Sequence, residues 1–176
     1  MQKSRVSNCR CDVEGITMVE IYNRLFIGSE SCCRSGNNEW AIVHACKSPC
    51  HQNAVGYSGS LKNTHPHYLV LQRESDLYLN MIDPPVPLFM PPLFTSFLKF
   101  ANDNWRSGKK VLIHCNQGES RAPSLGLLFL AKCQTAISNG CYEKAREDFL
   151  KLYSLYNPGK GIQIYLNRNW NALNGF

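Results

Sequence analysis

Several things are scarce in this 176-residue sequence, and each scarcity excludes a class of protein. No apolar run approaches the roughly 20 residues that a membrane-spanning helix needs, so no membrane partner is expected. The first residues, Met1 to Asn8, are polar and hold no secretory core, which points to a cytoplasmic protein. Charged residues are only 18% of the chain against 44% hydrophobic ones, the balance of one globular domain and not of a disordered polymer. Internal repeats and low-complexity tracts are absent. Basic residues outnumber acidic ones by 19 to 13, for a net charge of +6, yet Lys109-Lys110 is the only adjacent basic pair. The surplus suits an anionic substrate, and without a basic stripe nucleic acid is not the expected partner. No pair of cysteines has the Cys-x2-Cys spacing of a structural zinc site. Cys9-x-Cys11, Cys32-Cys33 and Cys46-x3-Cys50-His51 are the nearest approaches among nine cysteines. Reduced thiols are therefore expected, with no metal and no cofactor. The sequence does not select a resolving partner for a reactive thiol, nor an oligomeric state.

What is present is one informative stretch. Val111 to Ile113 is apolar and runs into His114-Cys115-Asn116-Gln117-Gly118-Glu119-Ser120-Arg121, and Leu125 to Ala131 is apolar again. The order reads as buried strand, tight loop and buried helix, with Pro123 in the first helical turn, where proline is tolerated. A loop that ends at a helix N-terminus turns backbone N–H groups towards one point, in the positive field of the helix dipole. Arg121 adds a planar charged fork that matches two phosphate oxygens. In the same field a thiolate at Cys115 is favoured, facing whatever phosphoryl group the loop holds.

His114-Cys115-x-x-Gly118-x-x-Arg121 resembles the phosphate-binding loop of the cysteine-dependent protein phosphatases. Gly118-Glu119-Ser120-Arg121 is most similar to the dual-specificity branch. The resemblance implies a nucleophile at Cys115 and a phosphate cradle from Asn116, Gln117, Gly118, Glu119, Ser120 and Arg121, with His114 supporting the loop. It also implies a general acid on a loop after a strand, about thirty to forty residues before the cysteine. Asp83 fits that interval, just past Ile82 and ahead of the rigid Pro84-Pro85-Val86-Pro87. Asp76 opens a predicted strand, at the wrong sheet edge, and Asp103 lies on a predicted helix. The implied reaction is hydrolysis of phosphotyrosine, and of phosphoserine or phosphothreonine, on a protein substrate through a phosphocysteine, without metal.

The rest of the chain is consistent with such a domain. Residues 1–17 read as a loose polar arm. Val19 to Tyr22 and Leu25 to Gly28 suggest an edge hairpin around Asn23-Arg24, and Ser29 to Glu39 a connector with room for a short helix. Trp40 to Ala45, Tyr68 to Leu71 and Leu77 to Ile82 suggest further strands, with His44 in the core or at an edge. Lys47 to His67 reads as a long loop bearing solvent-exposed His51, His65 and His67. Helices are predicted over Leu93 to Arg106, from Pro123, over 142–156 and from Ile162. The fold expected is α/β, a small, mostly parallel sheet of about five strands flanked by helices, in a single domain over 1–176.

Two positions depart from the resemblance. The residue after the loop arginine is usually Ser or Thr, whose hydroxyl helps the thiolate leave in the second step; here it is Ala122. Glu119 puts an acid at the pocket mouth and argues against polyanionic inositol or lipid substrates. Ala122 motivates an alternative in which the domain captures phosphoproteins without turning them over. An RNA 5′-phosphatase is a second alternative, although Ser120 and Ala122 do not match the loops of those enzymes. A rhodanese-like sulfur transferase fits the long apolar helix less well.

Overall fold

Apolar residues near the start of the described chain form the first hairpin of a sheet. In the computed structural model, residues 18–174 are described; the polar arm expected over 1–17, with Cys9-x-Cys11, lies outside them. Met18–Tyr22 (β1) and Leu25–Gly28 (β2) pair antiparallel. Trp40–His44 (β3), Val70–Arg73 (β4), Asp76–Leu79 (β5) and Lys110–His114 (β6) complete a sheet of order β1-β2-β6-β3-β5-β4. Strands β2, β6, β3 and β5 are mutually parallel, and the edges β1 and β4 are antiparallel. There are six strands where about five were expected, because both arms of each of the two hairpins enter the same sheet.

Alternation along the strands divides the core. Leu25, Ile27, Ala41, Val43, Val111 and Ile113 face the larger cluster, whereas Phe26, Ile42 and Leu112, adjacent in register, face a smaller one completed by Met18, Cys32 and Trp40. The larger cluster takes in four helices, Pro91–Arg106 (α2), Arg121–Lys132 (α3), Tyr142–Leu152 (α4) and Lys160–Asn169 (α5). In α2 the buried residues Leu93, Phe94, Phe97, Leu98 and Ala101 follow the predicted helical spacing, and Pro91 and Pro92 occupy the first turn. Helix α3 is buried along nearly its whole length, which its apolar composition anticipated. At Gly126 it lies so close to the sheet that a Cβ would come within 2.9 Å of Ile27 Cδ1.

Two expectations need correction. The segment Lys47 to His67 is not a structureless loop with three exposed histidines. A π-helical turn over Lys47–His51 leads into a short helix, Gln52–Val55 (α1). His51 is fully buried, with Nδ1 3.0 Å from Tyr57 Oη and Nε2 donating to the His67 carbonyl at 3.0 Å. One imidazole therefore ties the two ends of the segment together, a long-range role that composition does not reveal. The other correction concerns α4, which ends at Leu152 instead of 156. Tyr153 leaves the helix at φ −139° and turns towards the loop after β6.

The tightly packed α2–sheet interface predicts a large penalty for a cavity. Phe97→Ala should destabilise the protein by about 3–5 kcal/mol in chemical denaturation; a loss under about 1 kcal/mol would show that this core collapses around the deleted ring.

Candidate active site

Strand β6 lies between two parallel strands and is buried up to His114, so the chain can turn only where the sheet ends. Cys115 to Ser120 make that turn, and α3 begins at Arg121. Gly118 takes φ 77°, and a Cβ there would stand 3.0 Å from the Gly28 carbonyl oxygen, so both conformation and space call for glycine. Its N–H donates to Cys115 Sγ at 3.3 Å, which directs a backbone dipole at the buried sulfur.

The loop is held from outside. Tyr153 Oη donates to the Gly118 carbonyl at 2.8 Å, and burial pushes that phenol up to about 12, keeping it a donor at neutral pH. Asn157 N–H donates to the Glu119 carbonyl, and Gly159 N–H to Ser120 Oγ, each at 2.8 Å. The Ser120 hydroxyl is thereby tied to the start of α5. From the other side Glu30 N–H donates to the Asn116 carbonyl at 3.1 Å.

Arg121 is oriented by two acceptors. Nη1 donates to the Met81 carbonyl at 2.9 Å and Nη2 to Asn116 Oδ1 at 2.6 Å. Its Nε is buried and has no partner among the described residues, an unsatisfied donor on a fixed guanidinium. Arg121, Asn116 and Asp83 line one cavity of about 450 Å³, together with Lys47, Pro49 and Glu30. Asp83 is exposed and lies against the N-terminus of α5, where a Cβ on Gly159 would stand 2.8 Å from its Cγ. The other two aspartates considered above are elsewhere. Asp76 opens β5, at the strand end away from the loop, and Asp103 pairs with Lys99 at 2.8 Å on the exposed face of α2. Gln117 and Glu119 are exposed on the loop, and Ala122 is fully buried behind it. The Ser124 hydroxyl is 2.9 Å from Tyr156 Oη.

Glu30 and Lys47 were not singled out by sequence. Glu30 accepts from Asn116 Nδ2 at 3.2 Å, and the Lys47 backbone N–H donates to the Met81 carbonyl at 2.8 Å. Neither stands in a motif, and both reach the cavity through distant segments.

Behind the loop lies a second polar group. His114 Nε2 is 2.8 Å from His44 Nδ1, and His44 Nε2 is 3.0 Å from Asp76 Oδ1. His44 is buried, as expected, and stacks on Tyr78 at 4.2 Å. Cys33 Sγ lies 3.7 Å from His44 Nδ1 and 3.6 Å from Cys50 Sγ. The hydrogen bond with Cys50, then those with His114 and His44, hold the Cys33 thiol well below its usual range, while the bond to Cys33 pushes Cys50 up.

No protein-family model and no curated relative matches the sequence. Solved structures do. A mouse putative dual specificity phosphatase is 13% identical, covering 96% of this chain and 94% of its own, with a TM-score of 0.63. A human tyrosine phosphatase-like serine/threonine/tyrosine-interacting protein is 20% identical over 89% of this chain and 96% of its own, with a TM-score of 0.61. Human DUSP28 is 16% identical over 89% and 94%, with a TM-score of 0.60. The fold is that of the dual-specificity phosphatases.

The positive φ and the close carbonyl at Gly118 predict strain on substitution. Gly118→Ala should lower stability by about 1–3 kcal/mol in denaturant titration; an unchanged midpoint would mean that the loop relaxes without cost.

Proposed function

We propose that the protein is a cysteine-dependent phosphomonoester hydrolase whose substrates are phosphorylated proteins, with phosphotyrosine and also phosphoserine or phosphothreonine as the reacting group. The observation that carries this reading is the pairing, in one loop, of Cys115 Sγ under the Gly118 N–H with an Arg121 whose buried Nε has no partner among the described residues. A bound phosphoryl oxygen would satisfy that donor and place phosphorus in front of the sulfur. The net charge of +6 and the presence of Lys47 at the cavity favour a dianionic ester.

In the first step the Cys115 thiolate attacks phosphorus in line. The P–O bond to the substrate breaks, and Asp83 protonates the departing oxygen. In the second step Asp83, now a carboxylate, takes a proton from water, which attacks the phosphocysteine and releases phosphate and the thiolate. Arg121 and the loop N–H groups of residues 116–121 stabilise the equatorial oxygens, whose charge is largest in the transition state. No step needs a metal. Glu119 at the mouth disfavours substrates that carry several phosphates.

Ala122 supports a second reading, a domain that captures phosphoproteins with little turnover. Buried Ala122 offers no hydroxyl to the departing thiolate, and the nearby Ser124 hydroxyl is engaged by Tyr156.

Hydrolysis of an aryl phosphate in reducing buffer, from about pH 5 to pH 8, separates these readings. Cys115→Ser should abolish turnover, and Asp83→Asn should slow it by about 10²–10⁴-fold. Inactive wild-type protein that still binds a phosphopeptide would replace the hydrolase reading with the capture reading. A further expectation concerns the intermediate: acid-quenched wild type should retain phosphocysteine during turnover. Ala122→Ser should lower its steady-state level several-fold; no trapped intermediate in either protein would remove slow dephosphorylation as a property of Ala122.

A further inference from the structure

Cys33, His44, Cys50 and His114 come from four separate places in the chain. Cys33 follows the 3-10 turn Glu30–Cys32, His44 ends β3, Cys50 lies in the π-helical turn, and His114 ends β6. One ligand atom from each, two thiol sulfurs and two imidazole nitrogens, lies within 4.8 Å of all the others. Cys33 is exposed, and the other three are buried.

From this juxtaposition we infer that Cys33, His44, Cys50 and His114 form a tetrahedral zinc(II) site, through Cys33 Sγ, Cys50 Sγ, His44 Nδ1 and His114 Nε2. A tetrahedral ion with Zn–S of about 2.3 Å and Zn–N of about 2.0–2.1 Å requires ligand-to-ligand edges of roughly 3.3–3.8 Å. The Cys33–Cys50 separation of 3.6 Å and the Cys33–His44 separation of 3.7 Å already meet that requirement. The 2.8 Å between the two imidazoles is a hydrogen bond, which opens by roughly half an ångström when both nitrogens turn to the metal.

The surroundings fit as well. His44 Nε2–H donates to Asp76 Oδ1 at 3.0 Å, and in the neutral imidazole this leaves Nδ1 bare and aimed at the cluster. A carboxylate behind a ligating imidazole is the usual arrangement that orients such a ligand. Asp76 is itself held by the Gly36 N–H at 2.9 Å. A cavity of about 360 Å³, lined by Cys33, His44, Cys50, Arg34 and Tyr78, gives an entry path. Two thiolates and two neutral imidazoles make a soft, dianionic set that favours zinc over magnesium or calcium and balances its charge. Binding exchanges two thiol protons for one zinc ion, and no redox change is involved.

The role of the ion is structural, and it stands whether or not Cys115 turns over an ester. It clips the connector after β2 and the segment after β3 to the sheet end from which the Cys115 loop departs. The second segment carries Ser48, whose carbonyl accepts from Asn116 Nδ2 at 3.1 Å, and Pro49, which lines the Asp83–Arg121 cavity. Zinc therefore anchors one wall of that cavity.

The test is a titration of the full chain, reduced and free of any affinity tag, with cobalt(II) and then zinc(II). One equivalent of cobalt should give the intense visible bands of a tetrahedral site and a near-ultraviolet thiolate charge-transfer band, both removed by zinc. Cys33→Ser and Cys50→Ser should each cut the charge-transfer band to about half while circular dichroism stays native; Cys46→Ser should leave it intact. X-ray absorption of the zinc-loaded wild type should find two sulfur and two nitrogen neighbours, a readout that depends on no variant. Absence of the charge-transfer band overturns the site. So does a shell without sulfur, a band lost in Cys46→Ser but kept in Cys33→Ser, or a Cys33–Cys50 disulfide that forms in place of zinc uptake.

Discussion

The structure depends on the parallel register of three strands. Gly28, His114 and His44 lie side by side at the carboxyl ends of β2, β6 and β3. Strand β6 is hydrogen-bonded on both sides and buried on both faces, so the chain can leave it only at the sheet end. The Cys115 loop, the connector after β2 and the segment after β3 all emerge there. A slip of one residue in any of these ladders would send His114 and His44 to the other face and separate the chemistry.

The loop itself is not self-sufficient. Its carbonyls and Ser120 are bonded by Tyr153, Asn157 and Gly159, all within the turn that joins α4 to α5. That turn begins where α4 stops at Leu152, and a buried chain of hydroxyls, Ser124 to Tyr156 to Tyr142, ties the same region to α3. The C-terminal third of the molecule thus serves as the backing of the loop. Asp83, from the opposite direction, is set against Gly159 of the same turn.

His114 links the two polar centres. Its backbone leads into Cys115, and its side chain points away from the loop into the cluster of Cys33, His44 and Cys50. Its side chain bonds to His44 at the end of β3 and to Cys33 in the connector after β2, so one imidazole joins three segments at the level where the loop departs.

Much of this was legible beforehand. Period-two and period-3.6 patterns placed the strands and helices, because burial on one or both faces of a regular element leaves a regular trace. The Cys115–Arg121 stretch marked the loop, since an apolar strand, a tight turn and an apolar helix follow one another without interruption in the sequence. Asp83 stood out only through the resemblance, as the loop that carries it has no pattern of its own. Glu30, Lys47, the buried His51 and the end of α4 left no trace, because each is decided by contacts between distant segments. The Cys33–His44–Cys50–His114 cluster is the sharpest case. Its four members lie in four different segments, so no local spacing announces them, and of Cys46-x3-Cys50-His51 only Cys50 belongs to the group. The sequence by itself determined most of the elements and the place of the loop between β6 and α3, all properties of contiguous residues. Tertiary structure alone decided what stands behind the loop, because register and connection, and not composition, bring those side chains within 4.8 Å of one another.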